Sequence, residues 1–95
     1  MRAVVYILFS EKLSKFYIGF SENLKQRIEF HNSSQNLKWT KAGAPWNLYF
    51  LIDCSSKSQA MAIEKYIKKQ KSKQYILDLK NKPDSLNNLM TKFST

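Results

Sequence analysis

The sequence predicts an α+β fold, a small, mainly antiparallel three-stranded sheet flanked by helices in the order β-β-α-β-α-α. Three observations predict it. Two β-branched and aromatic runs, Val4–Phe9 and Lys15–Gly19, lie close enough in sequence to pair as a hairpin. A third such run, Trp46–Ile52, follows an amphipathic stretch and a polar one. Everything after it carries helical spacing and helix-start residues, so the helices collect over a sheet built from the earlier part of the chain.

In order, Val4–Phe9 is a continuous apolar run, as a strand buried on both faces should be, and it ends in the polar Ser10-Glu11-Lys12. The link from Ser10 to Ser14 has no Asn-Gly pair, so a loop longer than two residues is expected. Ser21 is a good N-cap, Glu22 suits a positive helix terminus, and Leu24, Ile28 and His31 repeat at helical spacing, which predicts a helix over 22–31. The polar and basic stretch from Asn32 to Pro45 is expected to be an exposed loop, of a length at which loops are often functional. After the third strand, Ser56 with Gln59 three residues later is a capping-box signature opening a strong helix that turns Ala60, Ile63 and Ile67 inward. A helix from Ser72 to about Leu79 follows, and a weaker one over 84–93 is introduced by Pro83. The expected organisation is one domain over 1–95, with a core of about 1–80 and a helical extension over 81–95.

With 95 residues, 43% of them hydrophobic and only two glycines and two prolines, the chain suits one packed core rather than a disordered tail. Lysine and arginine outnumber aspartate and glutamate 16 to 7, a net charge of +9, which points to a polyanionic partner. Nucleic acid and an anionic membrane surface both answer to that charge. The longest apolar run, Ala3–Phe9, falls far short of the ~20 residues of a spanning helix and lacks the flanks of a signal peptide, so a cytoplasmic protein without membrane insertion is expected. The single cysteine, Cys54, agrees with a reducing compartment, and with no thiol or imidazole cluster around it structural zinc is excluded.

Polar residues occupy several positions that patterning would make apolar. Arg27 and His31 lie in the inward stripe of the first helix with Leu24 and Ile28, and Glu64 lies in that of the second with Ala60, Ile63 and Ile67. Each has an ordinary explanation when taken alone. Arg27 can snorkel, His31 can cap a helix end, and Glu64 can pair with Lys68 at i,i+4. Tyr6 and Tyr17 can be core tyrosines with satisfied hydroxyls. Taken together, they are violations contributed by the sheet and by both helices, and such violations concentrate at functional sites. Their chemistry is also consistent with phosphodiester hydrolysis, which needs a cation on the phosphate, a metal for the leaving oxygen and a base for the attacking water. Arg27 can supply the first and Glu64 can anchor magnesium or manganese. Tyr17, Tyr6 or His31 can supply the third, although a phenol with a pKa near 10 is a poor base without a cationic neighbour.

Val5-Tyr6-Ile7 and Tyr17-Ile18-Gly19 resemble the paired triplets of the GIY-YIG nucleases. In order after them, the stretch from Asn23 through Arg27 and His31 to Asn32 resembles the family's arginine helix, and Ala60–Lys65 resembles the helix bearing its metal-binding glutamate. The resemblance covers Met1 to about Lys80 and is closest to small single-domain bacterial members, more distantly to the nuclease domain of the excision-repair C subunit. It implies a metal-dependent endonuclease acting on nucleic acid, DNA rather than RNA, with one Mg2+ or Mn2+ ion. By position it implies Tyr17 as the base, Tyr6 as its neighbour, Arg27 at the scissile phosphate and Glu64 as metal ligand, while His31 falls where members carry histidine or tyrosine. The sequence departs from the family pattern at Val5, in place of glycine, and at Phe20, where several active members have lysine. The departure at Phe20 keeps open a non-catalytic nucleic-acid-binding module of the same fold. Lys38, Trp39, Lys41, Lys65 and Lys68 are the expected nucleic-acid contacts, with Trp39 either stacking on a base or anchoring its loop on Trp46.

Overall fold

The computed structural model describes residues 3–33 and 39–94. Strands β1 (Ala3–Ser10), β2 (Lys15–Ser21) and β3 (Asn47–Cys54) form an antiparallel sheet in the order β2-β1-β3, with helices α1 (Leu24–His31), α2 (Lys57–Gln70), α3 (Lys73–Asn81) and α4 (Pro83–Lys92). The α+β class is as expected. The stretch over 81–95 holds a helix of its own, α4, which makes the order β-β-α-β-α-α-α.

Because β1 is central, both its faces are covered, which is why its sequence is apolar without alternation. Val5 and Ile7 face the main core, shared with Ile52 and Cys54 of β3, Ala60, Ile63 and Ile67 of α2, Ile76 and Leu79 of α3, and Leu89 of α4. Tyr6 and Leu8 point the other way, into a smaller cluster with Trp46, Leu24 and Ile28. Leu89 is buried, and the Gln59 amide donates to the Phe93 carbonyl at 2.9 Å, so the C-terminal helix is tied into the main core.

Four expectations need correction. The first helix starts at Leu24, because Ser21 is still paired with Val4 in the sheet. The Ser21 hydroxyl accepts from the Asn23 amide at 2.8 Å, and Asn23 is the N-cap, accepting from the Gln26 amide at 3.2 Å. The third strand starts one residue later than Trp46 and runs on to Cys54, which lies opposite Ala3. Ser56 caps α2 as expected, but the Gln59 side chain accepts from the Ser55 amide at 2.7 Å rather than closing a box on Ser56.

The stretch from Asn32 to Pro45 is also not wholly an exposed loop. It contains a 3-10 turn, Trp39–Gly43, whose end is buried, and the Ser10 hydroxyl donates to the Gly43 carbonyl at 2.7 Å. A Cβ on Gly43 would stand 2.6 Å from Cζ2 of Trp46 and 2.9 Å from Leu13, so only glycine fits. The base of this stretch is closed by Asn32, whose side-chain oxygen accepts from the Trp46 amide at 2.6 Å and whose NH2 donates to the Trp46 carbonyl at 3.2 Å. One amide side chain thus takes the place of a neighbouring strand's peptide group.

Candidate active site

Tyr6 of β1, Tyr17 of β2, Arg27 and His31 of α1, and Glu64 of α2 are brought together. The Tyr17 and His31 ring centroids are 4.5 Å apart, Tyr6 and His31 are 6.2 Å apart, and the two tyrosines are 6.3 Å apart. The Tyr6 hydroxyl lies 3.3 Å from Nε2 of His31 and is hydrogen-bonded by the Arg27 side chain. Arginine can only donate, so the phenolic oxygen accepts from Arg27 and its own hydrogen can be given to Nε2 of a neutral His31. The Arg27 guanidinium also stacks over Phe30, 5.5 Å from the ring centroid, which fixes its approach to the cluster.

Tyr6 reaches this position because of the residue opposite. In the β1–β2 register Tyr6 faces Gly19, and the hydroxyl end of its ring fills the space above that glycine: a Cβ there would stand 2.6 Å from Tyr6 Cζ and closer still to the hydroxyl. Gly19 is needed for space, since no glycine among the described residues has a positive φ. The last residue of one triplet therefore makes room for the middle residue of the other.

Depth separates the members of the cluster. His31 is 0% and Tyr6 1% exposed, and among the described residues every buried side-chain polar atom has a partner. Tyr17, Arg27 and Glu64 are half-buried and form the part nearer solvent. Glu64 pairs with Lys68 at 3.1 Å, as the i,i+4 spacing allows, and the Lys68 ammonium is also 6.0 Å from the Tyr17 ring centroid. His31 is more than a helix-end cap, because its ring is enclosed between two tyrosines.

Burial pushes the Tyr6 phenol above its ordinary value, against the Arg27 hydrogen bond, which pulls it down, while Tyr17 and Glu64 push it further up. Burial also raises Tyr75 and Cys54. A group with a raised native pKa holds its proton longer in the folded state, so the native state binds more protons above the unfolded value. The stability it contributes is complete below about pH 10 and falls as pH rises through the native titration. Tyr6→Phe should therefore remove part of this alkaline loss, leaving the share due to Tyr75 and Cys54. Urea melts from about pH 9 to about pH 11 check it. An equal slope in both proteins would discount Tyr6.

No group of three or more histidine, cysteine, aspartate or glutamate side chains that could hold a metal exists among the described residues. A dication here would depend on Glu64 alone. That donor set fits magnesium or manganese, which keep most of their waters and accept a single carboxylate, and it does not fit zinc. The Glu64 side chain is 17% exposed, within reach of solvent.

Of the expected nucleic-acid contacts, Lys65 and Lys68 lie on the outer side of α2 and Lys41 is exposed on the 3-10 turn. Lys38 and the side chain of Trp39 lie outside the described residues. Phe20 packs its half-buried ring against the main core and brings no cation to the site, and Val5 is fully buried there. Sequence reasoning did not single out Asn32 and Trp46, which close the site from the side of α1. Trp46 packs edge-on against Tyr17 at 6.2 Å. The only advance signal was an Asn directly after His31 and an aromatic residue at the strand entrance. Among the described residues no helix is long and apolar enough to cross a membrane.

Known proteins resemble this chain in sequence and in fold. The family model described as the GIY-YIG catalytic domain matches residues 2–76. The chain is 33% identical over 73 residues to a UPF0213 protein of Streptococcus pneumoniae serotype 4, covering 77% of this chain and 73% of the relative. It is 32% identical over 78 residues to the UPF0213 protein YazA of Bacillus subtilis, covering 79% of each. The solution NMR structure of a UPF0213 protein from Bacillus halodurans matches with a TM-score of 0.54 and 30% identity, over 100% of this chain and 99% of that one.

Proposed function

Because the chain belongs to the GIY-YIG catalytic domain family, we propose that it is a metal-dependent endonuclease that hydrolyses phosphodiester bonds of nucleic acid, DNA in preference to RNA. The observation that carries this reading is the convergence of Tyr6, Tyr17, Arg27, His31 and Glu64 from two strands and two helices on one patch.

The roles in this reading follow the depth of each side chain. Arg27 holds the scissile phosphate with the donors it does not give to Tyr6. The Tyr17 oxygen, having first given its own proton to solvent, takes a proton from the attacking water as the water oxygen bonds to phosphorus; the bond to the sugar oxygen breaks, and that oxygen takes a proton from solvent. His31 and Tyr6, sealed from solvent, act as positioning residues that hold Tyr17 and Arg27 in place. Glu64 holds one Mg2+ or Mn2+ ion, which when bound supplies positive charge to the developing leaving oxygen. Lys68, the counterion of Glu64, is also a phosphate contact, with Lys41 and Lys65 as outer contacts and Lys38 and Trp39 as contacts from their own stretch. A reducing, cytoplasmic setting suits the single buried thiol, Cys54.

A second reading, a non-catalytic nucleic-acid-binding module, is favoured by Phe20, which turns to the core where a lysine would serve the phosphate. Incubating the protein with supercoiled plasmid, with magnesium, with manganese and with chelator, decides between the two. Nicking that requires the dication is the expected result. Binding without nicking at any metal concentration would establish the second reading.

A further inference from the structure

We propose that the groove where β2 begins beside the α2–α3 junction carries the sugar-phosphate backbone of the strand leading away from the candidate active site; the proposal rests on the nuclease reading above. Its rim is formed by Lys15 of β2, Lys71 between the helices and Lys73 of α3, all exposed, and its floor by Phe16, Ile18 and Ile76. No carboxylate is among the residues that line it. The Lys73 ammonium donates to the Ser14 carbonyl at 2.8 Å, which holds one charge in place across the groove and leaves two of its three N–H donors for a ligand.

Three cations above an apolar floor match a sugar-phosphate chain, whose charges alternate with sugar carbons. The groove meets the site only along the edge strand: Phe16 and Ile18 of its floor face the main core, whereas Lys15 on its rim shares the other face of β2 with Tyr17. Lys68, beside Tyr17, stands in the last turn of α2, and Lys71 is the C-cap of that helix. Lys15 and Tyr17 are two residues apart on β2 and so lie on the same side of the strand. A backbone whose phosphate sits at Arg27 and Tyr17 thus passes the Glu64–Lys68 pair and then meets Lys71, Lys15 and Lys73.

The test is a salt titration of binding to a fluorescent oligonucleotide, without metal, for the wild type, Lys15→Gln/Lys71→Gln and a charge-matched pair distant from the groove, Lys57→Gln/Lys82→Gln. Plasmid nicking is assayed in parallel. The groove pair should weaken binding at low salt by roughly tenfold. It should also flatten the slope of log affinity against log salt by about 1.4–1.8, because two phosphates are no longer neutralised. The distant pair should leave both within error, and Lys15→Arg/Lys71→Arg should restore them, which separates missing charge from a damaged fold. Equal losses in both glutamine pairs, unchanged binding in the groove pair, or no binding by the wild type would overturn the proposal. A wild type that nicks while the groove pair binds normally removes the groove alone. A wild type that binds through the groove but never nicks removes the nuclease reading alone.

Discussion

Glu64→Gln is expected to lower metal-dependent nicking by on the order of a hundredfold or more while leaving the melting temperature near that of the wild type. Glutamine preserves the shape and one carbonyl oxygen but not the charge that a hard dication requires, and no other acidic or imidazole group completes a metal cluster among the described residues. The cost to the fold is small because the interaction removed is the pair with Lys68, whose side chain is 50% exposed, and such pairs contribute at most ~1 kcal/mol. Nicking rates over a manganese titration and melting curves of both proteins check the two halves separately. A glutamine variant that nicks at the wild-type rate would reduce Glu64 to a partner for Lys68.

Gly19→Ala should cost far more stability than the one methyl group it adds would suggest. The new Cβ would fall within 2.6 Å of Tyr6 Cζ, and the Tyr6 ring, 1% exposed and held against His31, has nowhere to retreat. Overpacking of this kind costs ~1–3 kcal/mol, which for a domain of this size lowers the melting temperature by roughly 5–20 °C. Activity should fall further than the folded fraction, since the shifted phenol would release Arg27 and His31. In a Tyr6→Leu background the same alanine should cost markedly less, and the two melting-temperature differences measure that coupling. Equal costs in both backgrounds would mean that the tyrosine does not impose the glycine.

The strands were readable because β-branched and aromatic runs were bounded by polar turns, and α2, α3 and α4 because Ser56, Ser72 and Pro83 mark their starts. The start of α1 was not, since Ser21 and Asn23 are both good caps and only the pairing of Ser21 with Val4 decides between them. Arg27, His31 and Glu64 were visible as polar residues in apolar stripes. The separation of the site into an enclosed pair, Tyr6 and His31, and an accessible set was not, because it depends on which face of β1 is covered by α1. Asn32 with Trp46, and Lys73 with Ser14, are hydrogen-bonded across 14 and 59 residues, which no local pattern encodes.

The middle strand is a wall shared by two rooms. Val5 and Ile7 furnish the main core on one side, while Tyr6, between them, furnishes the candidate site on the other. A backbone that moves to repack either neighbour must carry Tyr6 with it, because alternate residues of a strand cannot shift independently. The candidate site and the fold therefore have no independent thermal limits in this protein: heat cannot melt the core and spare the site, and a core substitution far from the site will be felt there first as a displaced phenol.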